Sequence, residues 1–150
     1  MLPALFPHGR SILATFVKYE PFAEGLMDKL FDLFGTTDTV KAAIHSDAPT
    51  VATDDELADL TQVTGTGYTA GGEDTQNNST RTGGTVTMTA VDIVWTAGAA
   101  DWGAARYVSI HDDTSTTDRL IGSWDYGGNF TLGNGETFTL DFGASVLTLA

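Results

Sequence analysis

The sequence of 150 residues contains no cysteine. Without a thiol the chain can form no disulfide, and it has no thiolate to serve as a nucleophile or a metal ligand. A chain of this length buries about 68–70% of its unfolded surface, so one folded domain needs neither a disulfide nor a metal. We therefore expect a single domain without covalent cross-links, which fits an intracellular place of synthesis.

Positive charge is also scarce. Lysine and arginine number 7 against 20 aspartates and glutamates, the formal net charge is −13, and no lysine follows Lys41. Binding to a phosphate backbone or to an anionic membrane requires clustered basic side chains, so neither a nucleic acid nor a membrane is an expected partner. The acidity is most simply explained by solubility and self-repulsion; the alternative is a partner with a cation-rich surface.

Long apolar runs are missing as well. The stretch SILATFVKY at 11–19 is too short to span a membrane. Pro3 and Pro7 lie where a secretory signal would have its apolar core, so we expect no signal peptide and a soluble protein. The same prolines prevent an early regular helix. We interpret residues 1–20 as an N-terminal arm whose apolar side chains pack on their own domain or on a neighbouring chain.

The segment after the arm, PFAEGLMDKLFDLFG at 21–35, is typical of one amphipathic helix. Pro21 suits a first helical turn, and Gly35 suits a C-terminal stop. Apolar residues recur at spacings of three and four, which places them on one helix face. They are Phe22, Leu26, Leu30, Leu33 and Phe34.

From Thr36 onward the apolar period changes to two, which is typical of β-strands. Residues 36–150 are predicted to form an antiparallel β-sandwich or a partly open barrel, which makes a single domain with the helix. Strands are expected at 39–46, 84–96, 105–113, 120–126, 136–142 and 145–150, separated by turns such as HDDTSTTD, YGGN, LGNGE and FGA.

Two irregularities are predicted within this body. The alternation in GTVTMTAVDIVWT changes phase near residues 90–92, so we expect a bulge there or a break between two strands. The acidic link PTVATDDELADL has room for one helical turn at 54–60.

Four glycines are concentrated in the stretch QVTGTGYTAGG, with a spacing close to that of phosphate-binding loops. Such a loop follows a buried strand and opens a helix, whereas the next residues here, EDTQNNSTRTGG, are polar, turn-prone and begin with two acids. We interpret the glycines instead as a structural loop that permits positive φ and close backbone approach, with a buried tyrosine ring as its anchor. The residues of this loop are Gly65, Gly67, Tyr68, Gly71 and Gly72.

Titratable side chains give no strong indication of a metal. His8, His45 and His111 are scattered, and none of them has the spacing of a metal pair, so they are expected to be ordinary polar residues. The acidic segment with Asp112, Asp113 and Asp118 is either a weak calcium site or, more simply, a solvated hairpin turn.

Catalytic groups are equally hard to find. No serine lies in a nucleophile elbow, and no pair of carboxylates stands out, so we expect no enzyme and no cofactor. Trp95, Trp102 and Trp124 could form a platform for a sugar, although tryptophans in strands are more often core or interface residues. A carbohydrate-binding β-sandwich therefore stays open.

Six blocks carry a resemblance to a known family. In chain order they are DTVKAAIHSDAPT, VTGTGYTAGG, VDIVWTAG, AARYVSIHDDTST, LIGSWDYGGN and FTLDFGASVLTLA. Together they resemble a widespread family of small virion structural proteins of tailed bacteriophages, over residues 21–150. Members of that family have a strand like TIKVAL after an N-terminal helix, then a GTGYTAGG segment and an LIGYVDFGG strand. They are usually capsid cement (decoration) proteins, and some are tail or fibre components.

The resemblance implies a β-sandwich-like body, no catalysis and a role in assembly. We expect a decoration protein, made in the host cytoplasm, that binds the major capsid protein on the outer head surface as a homotrimer. A tail or fibre component is the alternative. Contacts with the shell are expected from the arm, with two basic residues facing an acidic shell surface. The expected contact residues are Leu2, Leu5, Phe6, Arg10, Phe16, Lys18 and Tyr19.

Overall fold

The computed structural model describes residues 15–34, 37–99 and 101–150. Of the described residues, 41% lie in strands and 8% in helices. The protein is therefore mainly β, with antiparallel sheets, one α-helix near the N-terminus and a β-sandwich-like fold, which confirms the predicted class. No helix in the described ranges is both long enough and apolar enough to cross a membrane.

Ten strands and one α-helix make up the described chain, with a short 3-10 helix at Leu57–Asp59. In chain order they are β1 (Thr15–Lys18), α1 (Glu20–Met27), β2 (Val40–His45), β3 (Glu73–Asp74), β4 (Asn78–Thr82), β5 (Thr85–Thr89), β6 (Ile93–Thr96), β7 (Ala105–Asp112), β8 (Arg119–Phe130), β9 (Thr137–Leu140) and β10 (Leu147–Leu149).

The strands form three antiparallel sheets. The largest has the order β1-β8-β7-β2-β3, a second has the order β10-β5-β4, and β6 pairs with β9. Strand β7 lies at the centre of the large sheet because it pairs with β2 on one side and β8 on the other. A single cluster of buried side chains draws on all three sheets, through residues such as Ile44, Val108, Met88, Trp95 and Leu140.

Helix α1 is shorter than predicted, since it ends at Met27 rather than near Gly35. Lys29 adopts a positive φ of 59°, and the Leu30 N–H donates to the Gly25 carbonyl at 2.9 Å. These are the marks of a Schellman stop, here with lysine in the position that glycine usually takes. After the stop, Phe31 turns back onto the helix, and its ring meets Phe22 edge-on at 4.8 Å.

The predicted arm is corrected at its C-terminal end. Residues Thr15–Lys18 are not an extended tail but an edge strand, with Phe16 opposite Trp124 in β8. Residues 1–14 lie outside the described part of the chain. The predicted YGGN turn is also wrong, because β8 continues through it to Phe130.

Two local predictions are confirmed. The phase change near residues 90–92 is a true break: β5 and β6 belong to different sheets, and the Val91 N–H donates to the Thr75 carbonyl at 2.9 Å. The 3-10 helix lies within the expected helical turn at 54–60. The strands β3 and β4, by contrast, were not expected, since their sequences are almost entirely polar.

Candidate functional site

The residues expected to contact a neighbouring chain fall into two groups. Leu2, Leu5, Phe6 and Arg10 lie outside the described residues. The other three lie on or beside β1, where Lys18 is exposed and Phe16 is half-buried. Phe16 packs over Gly122 and lies 4.7 Å from the Trp124 ring, so its own sheet already covers part of it.

The expectation for Tyr19 is wrong. Its side chain is fully buried, and its hydroxyl forms a 2.8 Å hydrogen bond with the Ser109 Oγ in the middle of the large sheet. Burial raises the pKa of Tyr19 to about 12. A side chain in this position stabilises the chain's own core and offers no surface to a partner.

Exposed apolar side chains are concentrated just after Tyr19 instead. Met27 is 84% exposed, Leu30 is 43% exposed and Phe34 is 41% exposed. All three lie within eight residues, at the end of α1 and in the irregular segment that follows. We call Met27, Leu30 and Phe34 the N-terminal apolar surface. Val91 and Val94 are also exposed, beside and within β6.

A groove runs beside this surface. It has a volume of about 410 Å³ and lies between residues 29–32 and residues 112–119, which form the end of β7 and its turn into β8. The two sides are tied together, because the Asp32 N–H donates to the Asp112 carboxylate at 3.0 Å. The groove has mixed charge, because its lining includes Lys29 and Arg119 as well as Asp32 and Asp112.

Asp112 has a structural task that the sequence did not reveal. Although it is fully buried, its carboxylate also accepts hydrogen bonds from the backbone N–H groups of Thr114 and Ser115, at 3.0 and 3.2 Å. Three backbone donors therefore satisfy this carboxyl group, two of them within the turn and one from the segment after α1. The expectation of a solvated residue is therefore wrong for Asp112, which is fully buried and accepts backbone hydrogen bonds.

The glycine loop covers part of β2 and lacks phosphate-binding geometry, because it leads directly into strand β3 rather than into a helix. Gly67 and Gly72 have φ angles of 94° and 79°. A Cβ atom would collide with the Thr96 carbonyl oxygen at Gly67 and with the Ala42 carbonyl oxygen at Gly72. Both positions thus combine positive φ with close backbone approach, the two properties that the sequence predicts for this loop.

Tyr68 holds the loop in place, as expected, although its ring is half-buried rather than fully buried. Its hydroxyl accepts a hydrogen bond from the Ile44 N–H at 3.1 Å and donates to the Gln62 side-chain oxygen at 2.9 Å. Burial raises the pKa of Tyr68 to about 12. The ring also meets Trp102 edge-on at 5.6 Å, and the Trp102 indole donates to the Thr66 carbonyl at 3.0 Å.

A buried polar chain crosses the large sheet at one end of the β2–β7 pair. The His45 Nδ1 lies 3.0 Å from the Asp47 carbonyl oxygen, and its Nε2 lies 2.9 Å from the Ser109 Oγ. A carbonyl only accepts, so Nδ1 carries the proton and Nε2 accepts from Ser109. The Ser109 oxygen then accepts a hydrogen bond from the Tyr19 hydroxyl. The side-chain polar groups of His45, Ser109 and Tyr19 therefore all have a partner. Burial lowers the pKa of His45, which keeps the ring neutral.

The hydrogen-bonded network of Ser109 and His45 contains the residue types of a hydrolytic triad, because the Asp47 carboxylate also lies 3.4 Å from His45 Nδ1. This arrangement was not predicted, since the serine lies inside a strand and 64 residues from the histidine. Ser109 and His45 are both fully buried, however, and the serine oxygen also binds the Tyr19 hydroxyl. A substrate would have no path to the serine hydroxyl, so we interpret these hydrogen bonds as a structural link inside the fold.

The other end of the same strand pair is different. A nitrogen of His111 and one carboxylate oxygen each of Asp113 and Asp118 all lie within 4.8 Å of one another. The His111 Nε2 lies 2.9 Å from the Gly71 carbonyl oxygen, whereas its buried Nδ1 has no hydrogen-bond partner. Burial lowers the pKa of His111. We call His111, Asp113 and Asp118 the hairpin cluster.

The three tryptophans do not form a sugar platform. Trp95, Trp102 and Trp124 are all buried in the core. Trp95 stacks on Phe138 at 5.8 Å, and Trp124 packs between Phe16 and Phe142. A sugar ring needs an exposed aromatic face, so these three tryptophans do not support a carbohydrate-binding module.

Comparisons with models of known protein families, with curated proteins and with solved structures found no match.

Proposed function

We propose that this chain is a non-enzymatic virion structural protein, a capsid decoration protein that binds the outer surface of a tailed-phage head. Two features support the proposal. The six sequence blocks occur in the order found in that family of small phage proteins. The fold is mainly β and sandwich-like, as the resemblance implies. The partner would be the major capsid protein, and the shell would be stabilised because the protein binds only its assembled form.

The observation that carries this proposal is the N-terminal apolar surface. A chain with a net charge of −13 has ample polar surface for solubility, yet Met27 is 84% exposed beside two further exposed apolar residues. Methionine adapts its shape to a partner more readily than a branched side chain, which makes it common at binding surfaces. A contiguous exposed apolar patch marks an interaction surface, and we propose that these three side chains, which lie within eight residues, form one.

Strand β1 adds a second means of contact. It lies at the edge of the large sheet, and no strand in the described part of the chain pairs with its outer side. An edge strand has backbone N–H and C=O groups that can pair with a strand of a neighbouring protein. Lys18 is exposed on this strand and could reach an acidic group on the shell. The strand edge and the apolar surface both lie within residues 15–34, at the two ends of helix α1, and we propose that both contribute to the interface.

A trimer is the assembly we expect, because a closed cyclic oligomer can match a local three-fold position of a symmetric shell. Light scattering on the purified chain, and on particles that carry it, would measure the oligomeric state.

The decisive experiment uses particles from a virus that carries a nonsense mutation in this gene. Purified chain is added back, and its occupancy per capsid subunit is measured by quantitative mass spectrometry. We expect Met27→Asp combined with Leu30→Asn to lower the apparent affinity by about tenfold or more, because a charge placed in an apolar contact costs at least ~1.4 kcal/mol. Val94→Asp is the matched control, since Val94 is exposed on β6 and should leave occupancy unchanged.

The number of copies of this chain per particle distinguishes a location on the head from one in the tail. A copy number comparable with that of the major capsid protein supports the head, whereas a small fraction of it supports the alternative of a tail or fibre component. Equal occupancy of the double variant and the parent chain would rule out the N-terminal apolar surface as the interface. Absence of the chain from purified particles would overturn the proposed function itself.

A further inference from the structure

The hairpin cluster differs from an ordinary group of surface acids because of its histidine. The His111 Nε2 faces the Gly71 carbonyl oxygen at 2.9 Å, and a carbonyl can only accept a hydrogen bond. Nε2 therefore carries the ring proton, and Nδ1 carries the free lone pair. That lone pair is buried and has no partner within the described chain.

The side chains that face His111 cannot satisfy this lone pair. Asp113 and Asp118 are acceptors when ionised, so they offer no proton to a neutral imidazole. Lys41 lies opposite His111 in β2, but its Nζ is 2.7 Å from the Asp113 Oδ2. One imidazole nitrogen and two carboxylate oxygens thus lie within 4.8 Å of one another, a donor set that a divalent cation can bind.

The histidine is oriented as metal-binding histidines usually are. In most such sites the ring nitrogen that does not bind the metal donates its proton to a carboxylate or a backbone carbonyl, which fixes the tautomer and the direction of the lone pair. Gly71 supplies that carbonyl here, and the tightly fitted glycine loop holds it. Asp113 and Asp118 are half-buried, so the cluster is open to solvent on the carboxylate side.

We propose that His111, Asp113 and Asp118 bind one divalent transition-metal cation, with zinc as the best match. One imidazole nitrogen and two carboxylates form a mixed nitrogen and oxygen set, which suits zinc better than calcium, because calcium takes six to eight oxygen ligands. Water would supply the fourth ligand. Bound metal would join the end of β7 to the start of β8 beneath the glycine loop, and so would stabilise this corner of the sheet.

The charge of Lys41 provides a test that distinguishes a metal site from a cluster with only a structural role. Its ammonium group neutralises Asp113 and repels a second cation nearby. Replacing it, as in Lys41→Gln, should therefore tighten zinc binding several-fold, whereas loss of either carboxylate should weaken it.

The experiment is a titration of the purified full-length chain, first stripped with a chelator, with zinc chloride in a calorimeter. We expect one zinc per chain, and a rise of about 5–10 °C in the midpoint of thermal unfolding when free zinc is ~100-fold above its Kd. Cobalt chloride should give visible absorption bands of the intensity typical of four-coordination. Both signatures should weaken at least tenfold in His111→Gln and in Asp118→Asn.

His111 is buried, so its substitution could disturb folding, whereas Asp118 is half-exposed and its substitution should leave the fold intact. Circular dichroism would check the fold of both variants. Asp101→Asn removes an exposed charge outside the cluster and should bind zinc as the parent chain does. Equal zinc binding by the parent chain and Asp118→Asn would overturn the site. Calcium binding as tight as zinc binding, and unaffected by His111→Gln, would overturn the choice of metal.

Discussion

The two ends of the β2–β7 strand pair each place a fully buried histidine on the same face of the large sheet. At one end His45 lies opposite Tyr107, and at the other His111 lies opposite Lys41. Both rings have a pKa that burial lowers. They differ in their partners, because both nitrogens of His45 are hydrogen-bonded and only one nitrogen of His111 is.

The difference shows that burial alone does not separate a structural histidine from a candidate ligand. A buried lone pair without a donor costs free energy, so a satisfied network such as that of His45 is the ordinary solution. His111 leaves one buried nitrogen without a partner and lies beside two carboxylates, and the proposed cation would supply a partner for this group. Counting donors and acceptors around each ring therefore assigns a structural role to His45 and a binding role to His111.

The largest loss of stability is expected from a substitution in the glycine loop, which contacts His111 at one end of the β2–β7 strand pair. Gly72→Ala should lower the free energy of unfolding by about 3 kcal/mol or more, because the new Cβ would strike the Ala42 carbonyl at a positive φ. Gly71→Ala is the control, with a positive φ but open space around it, and should cost about 1–2 kcal/mol. Urea denaturation would measure both. Equal losses would contradict a close backbone approach at Gly72.

A smaller loss is expected at the His45 end. Ser109→Ala removes the oxygen that links Tyr19 to His45 and leaves two buried polar groups without a partner, so it should cost about 2–3 kcal/mol. Tyr19→Phe keeps the bond between Ser109 and His45 and should cost about 1 kcal/mol. Chemical denaturation of both single variants and the double variant would give the coupling. Additive losses would show that the three groups do not act as one network.

The smallest effect concerns pH. Burial lowers the pKa of His45 in the folded state, although Asp47 and Asp54 face the ring and oppose the shift. The unfolded chain therefore binds a proton more readily, and stability should fall as pH drops below the unfolded value of about 6.5. In His45→Gln this contribution is absent, so the loss of stability between pH 7 and pH 5 should be smaller than in the parent chain. Parallel thermal unfolding curves at several pH values would reveal it; identical pH slopes would contradict a buried neutral His45.

The sequence predicted strands well where side chains are buried: the period of two at Ile93–Thr96 matches its alternating burial, and the apolar strands β2 and β7 are buried at almost every residue. It failed where burial was not the cause. Strand β4 is exposed along most of its length and is held by backbone pairing with β5. The end of α1 was missed because Lys29, not a glycine, takes the left-handed conformation that closes the helix.

The candidate sites divide in the same way. The glycine loop was predictable, because glycines at such spacing indicate a backbone that L side chains cannot follow. The closeness of His111, Asp113 and Asp118 was partly predictable, since a hairpin turn brings both sides of residues 112–119 together. The burial of Tyr19 was not, because its partner Ser109 lies 90 residues away in sequence.

The amino-acid sequence by itself determined the mainly β class, the absence of disulfides and the acidic surface, since each depends on composition or on local periodicity. Tertiary structure alone decided which polar groups are satisfied. The Gly71 carbonyl reaches His111 from 40 residues away, and that contact assigns the ring proton to Nε2 and leaves Nδ1 free. Hydrogen-bond satisfaction depends on atoms that meet in space, so no pattern along the chain could have revealed it.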